Sequence, residues 1–208
     1  MPNLNAPAGL APVKYRNGNY WNGQARLYAI APAVTGAFYI GDLVKIDATN
    51  FADANGIPCV TNATAGATAR GVVVAIGTAV PYGFQGGPYV NPNDLTKIFR
   101  PSGAQTGYYY AAVVDDPDVI FEIMEDTTST PGQASAVTKN ANVTFSAPAT
   151  GVFVSGATLN SNTYAVTATL NLKVLQAVQR SDNTPYTAFQ RWEVLINNHD
   201  FSGGTVGY

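Results

Sequence analysis

Six carboxylates, Asp115, Asp116, Asp118, Glu122, Glu125 and Asp126, stand within residues 115–126 and form the densest charge cluster of the sequence. Two chemistries use such a group. A hard cation such as Ca²⁺ takes several carboxylate oxygens at about 2.3–2.6 Å. Glycoside hydrolysis needs two carboxyl groups about 5–10 Å apart, one to give a proton and one to act as base or nucleophile. The spacing suits neither. It lacks the Asp-x-Asp-x-Asp-Gly order of a calcium loop, and Pro117 stiffens the middle of the cluster. The plain reading is a solvated hairpin tip with acidic strand ends.

Other reactive residues are sparse. His199 and Asp200, in NNHD (197–200), would supply two members of a nucleophilic triad, but no serine lies in a Gly-x-Ser-x-Gly turn. Neighbours in a strand also point to opposite faces, so the two side chains would diverge. Cys59 is the single cysteine, which excludes an intrachain disulfide and a thiolate cage. Within GIPCV (56–60) it reads as a buried, inert thiol. The glycines of GFQGGP (83–88) lack the order, and the following helix, of a dinucleotide site. In the run Tyr108, Tyr109, Tyr110, the outer two share a face opposite to the middle one. At most two could stack on a ligand together, and strand aromatics usually serve the core. No catalytic residue, metal ligand or cofactor is therefore assigned.

Composition narrows the function classes further. The charged fraction is 12%, half the ~25% of an ordinary soluble domain. Such a surface is wetted by Asn, Thr, Ser, Gly and backbone, and it suits a protein that lives against neighbouring subunits. Net charge is −2, and the eleven basic residues are scattered from Lys14 to Arg191, so a nucleic-acid partner is not expected. The 46% apolar content is enough for a core. The opening MPNLNAPAGLAP has no basic segment followed by an apolar one. No apolar run approaches the ~20 residues of a membrane span. The expectation is a soluble protein made in a cytoplasm, with no membrane partner.

The elements that would position these residues read as strands. QARLYAI (24–30), FYIGDLVKI (38–46), RGVVVAIG (70–77), YYYAAVV (108–114), VIFEIMED (119–126), LNLKVLQAVQR (170–180) and FQRWEVLIN (189–197) are short apolar or alternating runs. Turn residues separate them, such as the Asn-Gly of DANG (53–56). DDPD (115–118) is expected to close a hairpin between its flanking strands. In the last run Trp192, Val194 and Ile196 alternate with Arg191, Glu193 and Leu195. No stretch has convincing helical periodicity. The fold class is all-β, a jelly-roll-like sandwich or barrel over residues 24–208, with two long loop excursions near 78–105 and 127–165. Residues 1–23 are set apart. Prolines at 2, 7 and 12 and glycines at 9, 18 and 23 forbid a helix, yet Leu4, Leu10, Val13, Tyr15, Tyr20 and Trp21 are too apolar for a solvated tail. An extended arm explains both. The surface it lies along is the protein's own core or, as the reading preferred here, another chain.

The ordered set APAGLAPVKYRNGNYWNGQARLYAI (6–30), IGDLVKI (40–46), ADANGIPCV (52–60), RGVVVAI (70–76), VVDDPDVIFEIMED (113–126), LKVLQAVQRSDN (172–183) and RWEVLINNHD (191–200) resembles the head decoration, or capsid cement, proteins of tailed bacteriophages. The two excursions match least. The resemblance implies a jelly-roll-like β fold that oligomerises on the outer surface of the capsid, in the virion, after synthesis in the host bacterium. It implies the major capsid protein and further copies of itself as partners, and neither cofactor nor catalytic residue; because closed symmetric assemblies dominate, a homodimer is expected before a homotrimer. Leu4, Leu10, Tyr20 and Trp21 are the candidate capsid contacts. A carbohydrate-binding module displayed on the virion, using a Tyr- and Asn-rich face, is the alternative; a hydrolase built on the acidic cluster is the third reading.

Overall fold

The computed structural model describes residues 3–78, 98–126 and 131–207. Most of the expected excursion near 78–105 lies outside the described residues. Among them, the all-β expectation is borne out: fourteen strands and two one-turn 3-10 helices, Ala134–Ala136 and Ser161–Thr163. No helix among them is long and apolar enough to cross a membrane.

One five-stranded sheet holds β2 (Arg26–Ile30), β4 (Leu43–Ile46), β5 (Val60–Asn62), β6 (Gly71–Thr78) and β8 (Tyr109–Val114), in the order β2-β8-β6-β4-β5. It curls until Ala29 meets Cys59 in a parallel bridge, which brings β5 back against β2 and closes a small barrel. Alternation fills the barrel. Tyr28 and Ile30, Val44, Val60, Val73 and Ile76, Ala111 and Val113 point inward, one or two from each strand, and make its core. The bulge between Val73 and Ala75 gives β6 the bend that closure needs.

The second sheet holds β1 (Ala11–Tyr15), β9 (Val119–Met124), β10 (Asn140–Ala141), β13 (Leu172–Ala177) and β14 (Arg191–Ile196), in the order β1-β9-β14-β13-β10. Its inner face, with Phe121, Ile123, Val174, Trp192 and Val194, packs on Leu43, Val72 and Val114 from the outer wall of the barrel. That contact is the main core. Two short ladders complete the fold: β3 (Phe38–Tyr39) with β7 (Phe99–Arg100), and β11 (Val143–Thr144) with β12 (Thr158–Leu159).

Three sequence expectations change. First, DDPD does not close a hairpin. β8 belongs to the barrel and β9 to the second sheet, so residues 115–118 form a corner that carries the chain between sheets. Alternation and turn residues look the same for a hairpin and for a corner; the outcome is set by what captures the turn. Asp115 accepts a hydrogen bond from Tyr28 Oη at 2.7 Å and pairs with Arg26, tying the corner to β2. Arg16 takes both the carboxylate and the carbonyl oxygen of Asp118.

Second, the N-terminal segment is part of the domain. β1 is the edge strand of the second sheet, a place where Pro12 removes no needed donor. Residues before it cross the 38–46 run, and Leu10 N–H donates to Gly41 O. Gly9 (φ +67°) and Gly41 (φ +94°) permit that crossing, since a Cβ on either would come within 2.4 Å of a carbonyl oxygen. The same crossing divides 38–46 into β3 and β4. Third, the 127–165 excursion is not a bare loop, because β10, β11, β12 and both 3-10 turns lie within it.

Candidate partner-contact surface

The acidic cluster disperses on folding. Asp115 and Asp118 hold the corner; Glu122 takes Arg180 in a two-pronged contact at 2.8 and 3.0 Å, with Arg191 at 3.4 Å. Asp126 accepts from Ser161 N–H at 3.0 Å. Glu125 is fully buried, and four donors converge on it: Gln190 Nε2 at 2.5 Å, Gly132 N at 2.6 Å, Tyr164 Oη at 3.0 Å and Trp192 Nε1 at 3.3 Å. Burial pushes its pKa up, against the pull of those donors. The arrangement fastens the 131–165 segment to the second sheet. No group of three or more His, Cys, Asp or Glu side chains able to hold a metal ion forms among the described residues.

His199 and Asp200 do diverge. Asp200 pairs with Arg70, while His199 Nδ1 accepts from Phe201 N–H at 3.0 Å and its Nε2 is buried without a partner. Burial and the nearby Arg70 lower the His199 pKa. The imidazole is thus buried in the molecule. Cys59 is fully buried on the outer wall of the barrel, and desolvation pushes its thiol up to about 11. Tyr108 and Tyr110 share that wall and Tyr109 packs against the barrel interior; Tyr110 Oη donates to Asp53 at 2.7 Å. The tyrosine run is spent on structure.

The four candidate capsid contacts do not form one patch. Leu10 is 1% exposed and belongs to the main core, so it offers nothing to a partner. Trp21 is half-buried against the same core, and its Nε1 donates to Gln24 O. Leu4 (77% exposed) and Tyr20 (87%) are open to solvent, but they flank β1 on opposite sides. Asn3 is bonded to Thr184 and Ala188 near the Met124 end of β9, whereas Tyr20 sits by the corner at the Val119 end.

A second group of apolar residues lies in and beside the 127–165 excursion. Phe99 stacks between Tyr39 (centroids 5.6 Å apart, rings within 4° of parallel) and Phe153 (5.0 Å). Phe145, Val152 and Val154 are exposed in the same segment as Phe153, and Val154 is held by a parallel bridge to Ile40. Three separate stretches of chain meet here, which no local pattern reveals. The available signal was modest: GVFV (151–154) is the one apolar run in a segment otherwise rich in Thr, Ala, Ser and Asn.

Beside this stack runs a groove of ≈ 370 Å³, walled by Tyr39, Leu43, Ala63, Phe145 and Ala157. Asp42 stands in it. Its carboxylate accepts from Tyr39 N–H at 2.8 Å and from the Ser155 hydroxyl, and desolvation lifts its pKa to about 6. A second, polar cleft of ≈ 390 Å³ opens between Tyr15, Asn17, Asn19, Tyr20, Gln24 and Asp116. No family model matches this chain, and no curated protein or solved structure is significantly similar to it.

Proposed function

We propose that this protein is a non-catalytic structural component of a tailed-phage head, which binds the outside of the capsid shell and stabilises it by bridging major capsid protein subunits. The observation that carries the reading is the run of exposed apolar residues Val152, Phe153 and Val154 together with Phe145, with Phe153 stacked on the half-buried Phe99 and Tyr39, on a chain with only 12% charged residues. Exposed apolar residues grouped in this way mark partner surfaces, where aromatic anchors that become buried carry most of the binding energy. Burial contributes on the order of 25 cal/mol per Å² before the costs of association are deducted. A standard interface of about 1,600 Å² then holds firmly, and an oligomer that engages several shell subunits gains further by multivalency. A closed homodimer, with a trimer as the rival, places such contacts on local symmetry axes. The resemblance to capsid cement proteins points to the same partner.

The test compares particles with and without the protein under heat or osmotic shock, at low and high salt. Undecorated particles should release DNA at lower temperature, and the advantage of decorated ones should persist at high salt, because screening acts on exposed charges and not on buried apolar area. Detachment of the protein at moderate ionic strength would overturn an apolar attachment.

A second reading, carbohydrate binding on the virion surface, draws on the polar cleft. The side chains of Asn19, Tyr20 and Gln24 line it and take no partner among the described residues. Amides beside an open ring suit a sugar, whose hydroxyls need donors and acceptors and whose C–H face stacks on an aromatic. Glycan-array binding that Tyr20→Ala abolishes would favour this reading over the first.

A further inference from the structure

The groove beside the aromatic stack carries one charged side chain, Asp42, and the polar groups of Asn62, Ser102 and Ser146. Asp42 stands there as a carboxylate with no cation against it among the described residues; its contacts are the Tyr39 N–H and the Ser155 hydroxyl. Asn62 lines the same wall. Its Nδ2 donates to Ala37 O at 2.8 Å, which fixes the amide orientation and leaves Oδ1 buried and without a partner. Two acceptors of negative sign, one a full charge, thus share an apolar-walled groove. A half-buried, desolvated carboxylate without a counter-charge is costly, and an unmatched acceptor adds to that cost. The walls matter too: Tyr39 and Phe145 line the same groove as Asp42, and aromatic faces attract cations and pack the aliphatic stems of long basic side chains.

We propose that this groove receives an arginine or lysine side chain from the protein surface on which the aromatic stack docks. The inference rests on the reading of the stack as a partner surface, and identifies the partner by chemistry: a basic side chain flanked by apolar residues on a shell subunit. The stem lies between Tyr39 and Phe145, the cationic head meets Asp42, and the Asn62 oxygen adds its partial negative charge to the same wall. The ≈ 370 Å³ of the groove accommodates one such side chain with part of its backbone. An ion pair formed there is desolvated by the surrounding apolar contact. It therefore adds directional specificity to an attachment whose strength is apolar.

The experiment follows the backbone amides of the full chain by NMR. The probes are N-acetyl-arginine amide and N-acetyl-citrulline amide, which are alike in shape but differ in charge. The arginine probe should move Ala37, Asp42, Asn62 and Ser102 saturably, and the citrulline probe should need at least about tenfold more to do so. Asp42→Asn keeps an acceptor for Tyr39 N–H and removes the uncompensated charge, so its melting temperature should not fall below that of wild type while the two titration curves merge. Equal curves for both probes on the wild-type protein, or shifts only around Asp116 and Asp118, would overturn the groove assignment. A parallel arm measures occupancy on purified shells. Asp42→Asn should bind at least about tenfold more weakly than wild type; unchanged occupancy would overturn the shell as source of the cation. Failure of Phe153→Ala to weaken shell binding would count against the proposed function itself, and leaves the arginine titration to be judged separately.

Discussion

Replacing Glu125 by alanine should be among the most damaging single changes in the molecule, although the residue touches no proposed partner. The carboxylate is fully buried and accepts from Gly132 N, Tyr164 Oη, Gln190 Nε2 and Trp192 Nε1. Gln190 has a second acceptor in Gly132 O at 2.8 Å, so three donors would be orphaned. An unsatisfied buried donor costs about 1–3 kcal/mol, but relaxation and water entering the vacated space recover part of it, so a net loss of about 3–5 kcal/mol is expected. That is a large share of the 5–15 kcal/mol typical of a domain. Glu125→Gln keeps the shape and one acceptor but turns an NH₂ toward donors; it should lose less, about 1–3 kcal/mol. Urea unfolding followed by tryptophan fluorescence reads both, since Trp192 is one of the partners. Limited proteolysis should also cut the alanine variant first within 131–165, the segment that Glu125 fastens and that carries Phe145 and Phe153. A loss below about 1 kcal/mol for Glu125→Ala would refute the idea that this carboxylate organises the segment.

Three further outcomes are expected. Leu10→Ala should cost about 2–5 kcal/mol as a core truncation, whereas Leu4→Ala should stay within about 0.5 kcal/mol; similar losses at both would contradict the placement of the N-terminal segment. Cys59, buried and with its pKa raised to about 11, should resist iodoacetamide at pH 8 until the protein is unfolded, and rapid native labelling would show the barrel wall to be open there. The lowered pKa of His199 means that the unfolded chain takes up the proton first as pH falls. Its contribution is complete above the ordinary value of 6.5 and declines below it by up to about 1.4 kcal/mol per pH unit until the folded value is reached. Asp42 works in the opposite sense between its ordinary 3.8 and about 6. The difference between wild type and His199→Gln therefore isolates the histidine, and parallel pH profiles for the two would contradict its assignment.

Most strands were legible because each carries its own signal. β14 alternates Trp192, Val194, Ile196 with Arg191, Glu193, Leu195, and the buried set is the first of these. RGVVVAIG reads as a strand buried on both faces and becomes β6, with Val72 in one core and Val73 in the other. Sheet membership was not legible, because alternation says which face a residue takes and not which strand lies beside it. That is why DDPD read as a hairpin: its capture by Tyr28, Arg26 and Arg16 joins residues about 90–100 positions apart. The contact surface failed for the same reason. Apolar residues in 1–23 were visible, but the sequence does not show that Leu10 is turned inward while Leu4 is not. The Tyr39–Phe99–Phe153 stack draws one ring from each of three segments and exists only in the folded chain. Asp42 likewise stands in sequence inside the run FYIGDLVKI, where nothing local shows that Tyr39 N–H and the Ser155 hydroxyl hold its carboxylate in a groove.

The central claim is a place on the capsid exterior, and a reconstruction of virions that carry this protein tests it most directly. The account predicts density for this fold on the outer surface of the shell, spanning at least two major capsid protein subunits, with Phe99 and Phe153 buried in the contact. Density absent from the shell, or found only on the tail or inside the head, would contradict it.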